Sequence, residues 1–321
     1  MGSLIDTINQ QAESKNEDRH KAKPKTSFWA SESEAMAFDI YHKWMGTPET
    51  NPMEGETIMM LTMRKMSEVA VTSLMRKANV LVKRFSNDER VYFEWGPHKV
   101  PVSGYPDAGV VTDGALALVE IKTYYGQHNH IEVTAGRVKL SYLKQLAIYM
   151  YHHKVQHGIL LMINQGTGEM TEFDLYQDEK NPYHFLCPDN TVEFNLEETF
   201  KRWEKIYVEN ILPKKEPAIE YQYKYDVFTL DWSKVSAANI SAARNGKKVL
   251  GDWQVKYSNY KDLIISRQGT VPGYTAEELD HIRKVTTGYA NRNSKMVQYE
   301  PGPDVAAKLA VPLPAKPLII K

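Results

Sequence analysis

The sequence predicts an α/β fold, a mixed central sheet flanked by helices and followed by a C-terminal extension. Three observations predict it. Segments with helical spacing alternate with β-type runs, in the order helix, helix, strands, helix, strand pair, helix, which places helices on both faces of a sheet. The run ALALVEIK (115–122) is apolar at nearly every position up to Glu120, as in a central strand covered on both sides. Between that run and the β-type residues 109–112 stands Asp113-Gly114, a strong hairpin turn.

Taken in order, residues 1–27 are polar and of mixed charge, and read as a flexible segment with room for a short helix from Leu4. In 32–45 the spacing of Ala35, Phe38, Ile40, Tyr41 and Trp44 predicts a helix ending at Gly46. Two prolines make 47–55 a loop. Residues 56–83 predict one long helix with a broad buried face from Ile58, Leu61, Met66, Val69, Leu74 and Met75. Short strands follow at 90–95 and 99–102, around a Gly-Pro turn. After the hairpin, 139–153 is helical. GILLMIN (158–164) predicts a strand, 165–169 a turn, and 170–176 its antiparallel partner. Residues 195–212 read as a charged amphipathic helix ended by Pro213, and 232–244 as a small helix. The expected division is a flexible 1–27, one domain over 28–268 and an extension, 269–321, of unassigned role.

With 321 residues, 42% of them apolar and 25% charged, the chain can bury a sizeable core and is too apolar for disorder. Formal net charge is zero, so a surface for phosphates must come from local clusters of Lys and Arg. Arg137, Lys139 and Lys144 are the best such cluster. The single cysteine, Cys187, excludes an internal disulfide and a multi-cysteine metal site, and is expected as a small buried residue. No stretch approaches the length of a membrane span, and the N-terminus has no long apolar run. The expectation is a soluble cytoplasmic protein that does not meet a membrane.

The segment that carries chemistry is SGYPDAGVVTDGALALVEIKT (103–123). Glu120 and Lys122 stand two apart in a strand and so share a face, while Ile121 points to the opposite core. Pairing across the hairpin brings Asp107 to the same end of the sheet. Two carboxylates and an ammonium then converge. Carboxylate oxygens suit Mg²⁺, which keeps waters and contacts a phosphate. The metal makes a bound water a usable nucleophile, and a neighbouring lysine can orient that water or stabilise developing charge. The alternative is a solvated Glu–Lys pair at a strand end, worth little. Charge at the end of an apolar strand is costly unless it meets a metal or a partner, and that favours the functional reading.

This segment resembles two successive motifs of the PD-(D/E)XK nucleases, in their RecB-like branch. The branch has the restriction-endonuclease-like fold and carries Gln-x-x-x-Tyr on the next helix, matched here by Gln145 and Tyr149 in YLKQLAIYMYHH. These four-apart residues share one helical face. The branch also places a metal ligand on a preceding helix. Glu68 in MRKMSEVAV fits it, with Glu56 as competitor at a position where a helix start favours an acid anyway. FDIYHKWMGTPE resembles the N-terminal helix and loop of CRISPR-associated and AddB-type members. GDWQVKYSNYKDLI resembles their iron–sulfur segment, but Val255, Ser258 and Ile264 stand where the cysteines would be, so no cluster is expected. Packing of Trp253, Tyr257 and Tyr260 is expected to hold that region. The resemblance covers residues 30–265 and is nearer to phage and mitochondrial exonucleases that lack the cluster.

The resemblance implies a Mg²⁺- or Mn²⁺-dependent deoxyribonuclease. Asp107, Glu120, Glu68 and the Ile121 carbonyl would bind metal, Lys122 would position water, and Gln145 and Tyr149 would shape the site. The expected activity is exonucleolytic, on DNA ends or single strands, in recombination, repair or replication. A structure-specific endonuclease and a non-catalytic DNA-binding protein are the alternatives. A protein partner would be met by the C-terminal extension. His128-Asn129-His130 lacks the spread ligands of an HNH site and is expected in a solvated loop; His152 is expected at the surface. GTGE (166–169) is a hairpin turn, because no Lys-Ser/Thr follows it.

Overall fold

The β-type runs of the chain assemble into two sheets. The structure is a computed structural model and describes residues 23–51, 53–85, 89–112 and 114–287. In chain order the elements are β1 (Phe28–Trp29), α1 (Ala37–Met45), α2 (Gly55–Lys77), β2 (Leu81–Arg84), β3 (Val91–Trp95), β4 (Val100–Gly104), β5 (Ala108–Thr112), β6 (Ala115–Tyr124), α3 (Gln127–Thr134) and α4 (Leu140–His153). Then come β7 (His157–Asn164), β8 (Met170–Gln177), β9 (His184–Cys187), β10 (Val192–Asn195), α5 (Leu196–Ile206), α6 (Ala237–Arg244), α7 (Trp253–Lys256), α8 (Lys261–Arg267) and α9 (Ala276–Val285).

The larger sheet has the order β10-β9-β8-β7-β6-β5-β2, and the smaller β1-β4-β3. In the larger, β6 and β7 run parallel and every other pair is antiparallel. A parallel pair needs a crossover, which α3 and α4 supply. Side chains of β6 alternate between two cores. Leu118 and Tyr124 pack with Leu160, Met162 and the α4 residues Leu143, Leu146 and Ala147. Ala117, Val119 and Ile121 pack on the other face with Ile159, Leu161 and Val71 of α2. Cover on both faces explains why 117–119 are apolar without polar alternation before Glu120, while Ala115 and Leu116 at the start of the strand are exposed. A Cβ on Gly158 would lie 2.5 Å from Met150 Sδ, so this glycine lets α4 press against β7. The mixed sheet flanked by helices is the fold class that the sequence predicts.

Several elements end where their residues dictate. Gly46, with φ of 65°, closes α1 as expected. Asn195 caps α5 by accepting the Glu197 N–H, and Phe200 and Trp203 of that helix are fully buried. Cys187 is free and buried.

Other expectations are corrected. The long helix stops at Lys77; Asn79 takes a left-handed φ of 59°, and residues 81–84 become β2, antiparallel to β5. The open edge of β5 and the β-branched Val80 and Val82 favour a strand over another helical turn. Nor does α2 have a broad buried face: Leu61, Met66, Val69 and Leu74 are exposed, and only Gly55, Val71 and Thr72 are buried. Its apolar residues in the core under the sheet are Val71 and Met75. His128, Asn129 and His130, expected in a solvated loop, lie within α3. Neither β9 nor β10 was foreseen.

The described residues fall into two compact units. One holds residues 23–223 with 252–270. Within it, Val255, Tyr260 and Ile264 bury against Met36 and Phe38, while Trp253 and Tyr257 are exposed rather than packed. Residues 23–27 are tied down: Lys25 pairs with Glu32 at 2.6 Å and Ser27 is fully buried. The other unit holds 224–251 with 271–287 and has its own core of Val227, Trp232, Ile240, Ala243, Leu250 and Ile282. The helix expected from Leu4, most of the C-terminal extension and the turn residue Asp113 lie outside the described residues. No helix among the described residues is long and apolar enough to cross a membrane.

Candidate active site

The β5–β6 hairpin sets the geometry. Ala108 pairs with Val119, so Asp107 arrives opposite Glu120. Asp107 Oδ2 accepts the Ile121 N–H at 2.7 Å, a bond that ties the carboxylate to the neighbouring strand. Glu120 and Lys122 project from the same face of β6 and pair at 2.7 Å, with Glu120 only 2% exposed. Ile121 packs in the opposite core, as its position in the strand requires.

α4 lies over this face and completes the group. Lys122 Nζ donates to Gln145 Oε1 at 2.9 Å, and Gln145 Nε2 donates to the Tyr149 hydroxyl at 3.2 Å. Lys122 Nζ also stands 5.1 Å from the centre of the Tyr142 ring, with Lys139 Nζ 5.7 Å from the same ring. Of the residues singled out in the sequence, Asp107, Glu120, Lys122, Gln145 and Tyr149 therefore form one connected group.

Its electrostatics are those of crowded acids in a dry place. Burial first, then the charges of Glu120 and Glu68, push Asp107 well above the usual carboxylate range. Burial also raises Glu120, against the opposing pull of Lys122. For Lys122, burial alone would lower the ammonium, but Glu120 and the bond to it hold it above its ordinary value. Tyr149 is pushed well up by burial and then by Glu120. Glu120 Oε2 is buried with no hydrogen-bond partner among the described residues. A buried carboxylate oxygen left bare is costly, and a cation is the usual remedy.

Glu68 comes near without joining. Its charge is felt by Asp107 and Glu120, yet its carboxylate is taken by Lys65, at 2.7 and 2.6 Å, with Arg84 at 3.8 Å. Among the described residues, no three His, Cys, Asp or Glu side chains gather tightly enough to hold a metal ion. The donor chemistry, two carboxylates with one bare oxygen, still fits a hard divalent cation. The ligand set seen is a pair, and the carboxylate of Glu68 on α2 is near enough for its charge to act on both.

The basic cluster divides. Arg137 is bound to Glu132 and Lys144 to Glu34, while Lys139 is exposed beside the Tyr142 ring that Lys122 also approaches.

Two contributors were missed in the sequence. Tyr142 stands three residues before Gln145 and seven before Tyr149, on the same helical face, so helical spacing could have found it. At Gly104, a Cβ would lie 2.6 Å from Tyr149 Cε1 and 2.7 Å from its hydroxyl oxygen; only glycine lets that ring approach. The signal was the glycine in SGYPD.

No family model matches the chain, and no curated protein does. Among solved structures, SSO0001 is 12% identical, with a TM-score of 0.43, over 74% of this chain and 98% of that one. LHK-Exo in complex with dAMP is 15% identical, with a TM-score of 0.39, over 61% and 93%. The alkaline exonuclease LHK-Exo from Laribacter hongkongensis is 16% identical, with a TM-score of 0.37, over 61% and 96%. What the site can do is read from its own side chains.

Proposed function

We propose that this chain is a divalent-metal-dependent deoxyribonuclease with the restriction-endonuclease-like fold of the PD-(D/E)XK nucleases, acting as an exonuclease on DNA ends or single strands. The observation that carries the reading is the bare, buried Oε2 of Glu120, set beside Asp107 and Lys122 at the end of an apolar strand.

Asp107 and Glu120 would hold Mg²⁺ or Mn²⁺, with the Ile121 carbonyl and Glu68 as further ligands. A bound ion of this kind supplies an activated water and a charge that polarises the phosphoryl group. The protein's own groups do the rest. Lys122, held by Glu120 and Gln145, keeps its proton and offers it as a donor to the attacking water or to the phosphate oxygen. Gln145 and Tyr149 fix the direction of Lys122 and close the rear of the site against water. Tyr142 and Lys139 flank the open side, where a ring and a cation suit an unpaired base and its phosphate.

The test is cleavage of end-labelled linear DNA with Mg²⁺, with and without EDTA, by the wild type, Lys122→Ala and Asp107→Ala. Loss of at least about a hundredfold in rate is expected for each variant, as for removal of a group acting in the transition state. Equal cleavage by both variants would remove the mechanism. Closed circular single strands separate the modes: an exonuclease leaves them intact, and an endonuclease opens them. DNA retained without cleavage under any divalent ion would mark a non-catalytic binder.

A further inference from the structure

The helix α2 was expected to bury a broad apolar face, and the structure leaves most of that face open. Val71 is buried and Met75 packs with it in the core under the sheet. At 3.6 residues per turn, Met59, Met63, Met66, Ala70 and Leu74 fall within about a quarter of a turn of one another, on the side facing away from that core. All five are exposed, Met66 by 67%, Met63 by 56% and Leu74 by 55%. Thr62, Val69 and Ser73 border them and are exposed as well. The charged residues between Glu56 and Arg76 are Arg64, Lys65 and Glu68, and their positions lie outside this stripe. A continuous apolar stripe of four turns in solvent marks a contact surface, and methionine suits one because its side chain adapts to what it meets.

Two features say what covers it. The steps from Met59 to Met63, Met66 and Ala70 are of four, three and four residues, the spacing of a seam that meets another helix. The ends of α2 carry opposite charge: Glu54 and Glu56 stand at its start, Arg76 and Lys77 in its last turn. Two such helices laid parallel would set acids against acids and bases against bases. Laid antiparallel, the acids of each meet the bases of the other and the helix dipoles oppose. The stripe is therefore complementary to itself under a two-fold rotation, which is what a contact between identical copies requires.

We propose that α2 pairs antiparallel with α2 of a second copy of this chain, with Met63 and Met66 at the middle of the seam. From Met59 to Leu74 the seam runs about 22 Å, a small contact, so the dimer is reversible with a Kd on the order of micromolar. Glu68 lies on the opposite side of α2 from the stripe, so the pairing leaves its carboxylate uncovered. The inference does not rest on the nuclease reading.

The experiment is sedimentation velocity of the full chain across micromolar concentrations, joined to cysteine cross-linking. The wild type should pass from monomer to dimer as concentration rises. Met66→Glu sets two acids face to face in an apolar seam and should weaken association at least about tenfold. Lys77→Glu should weaken it as well, and Glu56→Lys combined with Lys77→Glu should restore it, which damage to the fold would not do. Melting curves check that each variant is folded. Met66→Cys, near the middle, should give a covalent dimer with a short bis-maleimide. Leu74→Cys should not, because antiparallel pairing holds the two copies of that position about 20 Å apart. Cys187 is buried and adds no background. A wild type that stays monomeric throughout overturns the proposal; stripe methionines slow to oxidise in that monomer would show that another part of the same chain covers them. A dimer that survives both Met63→Glu and Met66→Glu places the contact elsewhere and overturns it too. So does cross-linking at Leu74→Cys as ready as at Met66→Cys, which would mean a parallel pair.

Discussion

Gly104 governs how closely Tyr149 approaches the carboxylates. Replacing it by alanine would put a methyl group 2.6 Å from Tyr149 Cε1, so the ring must move and its contact with Gln145 at 3.2 Å is lost. Gly104→Ala is expected to cost about 1–3 kcal/mol of stability, as overpacking does. It should also lower DNA cleavage more than Tyr149→Phe, which keeps the ring and removes only the hydroxyl. Melting and single-turnover cleavage check both, and wild-type values for Gly104→Ala would discard the role. At this scale the sequence was informative because strand geometry is rigid. Spacing of two puts Glu120 and Lys122 on one face, and a hairpin leaves Asp107 little choice of neighbour. Gln145 and Tyr149 were legible for the same reason in a helix. Glu68 was singled out as well; its charge acts on Asp107 and Glu120, while its carboxylate pairs with Lys65, three residues away. Spacing alone does not decide which way a half-buried helix carboxylate turns.

Elements were legible where local pattern and tertiary demand agree. The runs of β6 and β7 are apolar on both faces and are covered on both faces. In α2 the two disagree: its apolar residues lie all round the helix, while only a short patch near Val71 meets the sheet. The last turns expected of it become β2 because β5 offers an unpaired edge, which a single segment cannot foretell. The segment 252–270 shows another kind of agreement. Val255, Ser258 and Ile264, which stand where a cluster's cysteines would be, are all buried, and Ser258 donates to Asp39 of α1 at 2.7 Å. Burial, set against that bond, raises Asp39 from 3.8 to about 6. A raised carboxyl binds its proton more tightly when folded, so its contribution to stability is complete below about pH 4 and is lost as pH rises through about 6. The melting temperature should carry a component that falls across this window, and Asp39→Asn should flatten it. An unchanged pH profile in Asp39→Asn would show that Asp39 titrates normally.

For the whole molecule the division of the chain matters more than its length. A boundary at 269, natural from composition, would separate segments that share a core. Ile282 of α9 is fully buried among Val227, Trp232, Ile240 and Leu250, which come from the part before 252. The Leu250 N–H donates to the Tyr274 hydroxyl at 2.8 Å, and Lys224 pairs with Glu278 at 2.9 Å. The sequence hid this because the partners of 224–251 lie past an intervening segment, 252–270, that belongs to the other unit. Ending the chain after Thr270 removes Ile282, Tyr274 and Glu278 together. Residues 224–251 should then lose protection, with apolar dye binding and cleavage by protease within that stretch at least about tenfold faster, since local opening controls both. Ile282→Ala makes the same point without truncation and should cost about 2–5 kcal/mol within this unit. All the catalytic candidates lie in the other unit, so Ile282→Ala should leave cleavage of short DNA strands near wild type at a temperature where that unit is folded. Full protection of 224–251 in the truncated chain would mean that the shared core is not what stabilises it.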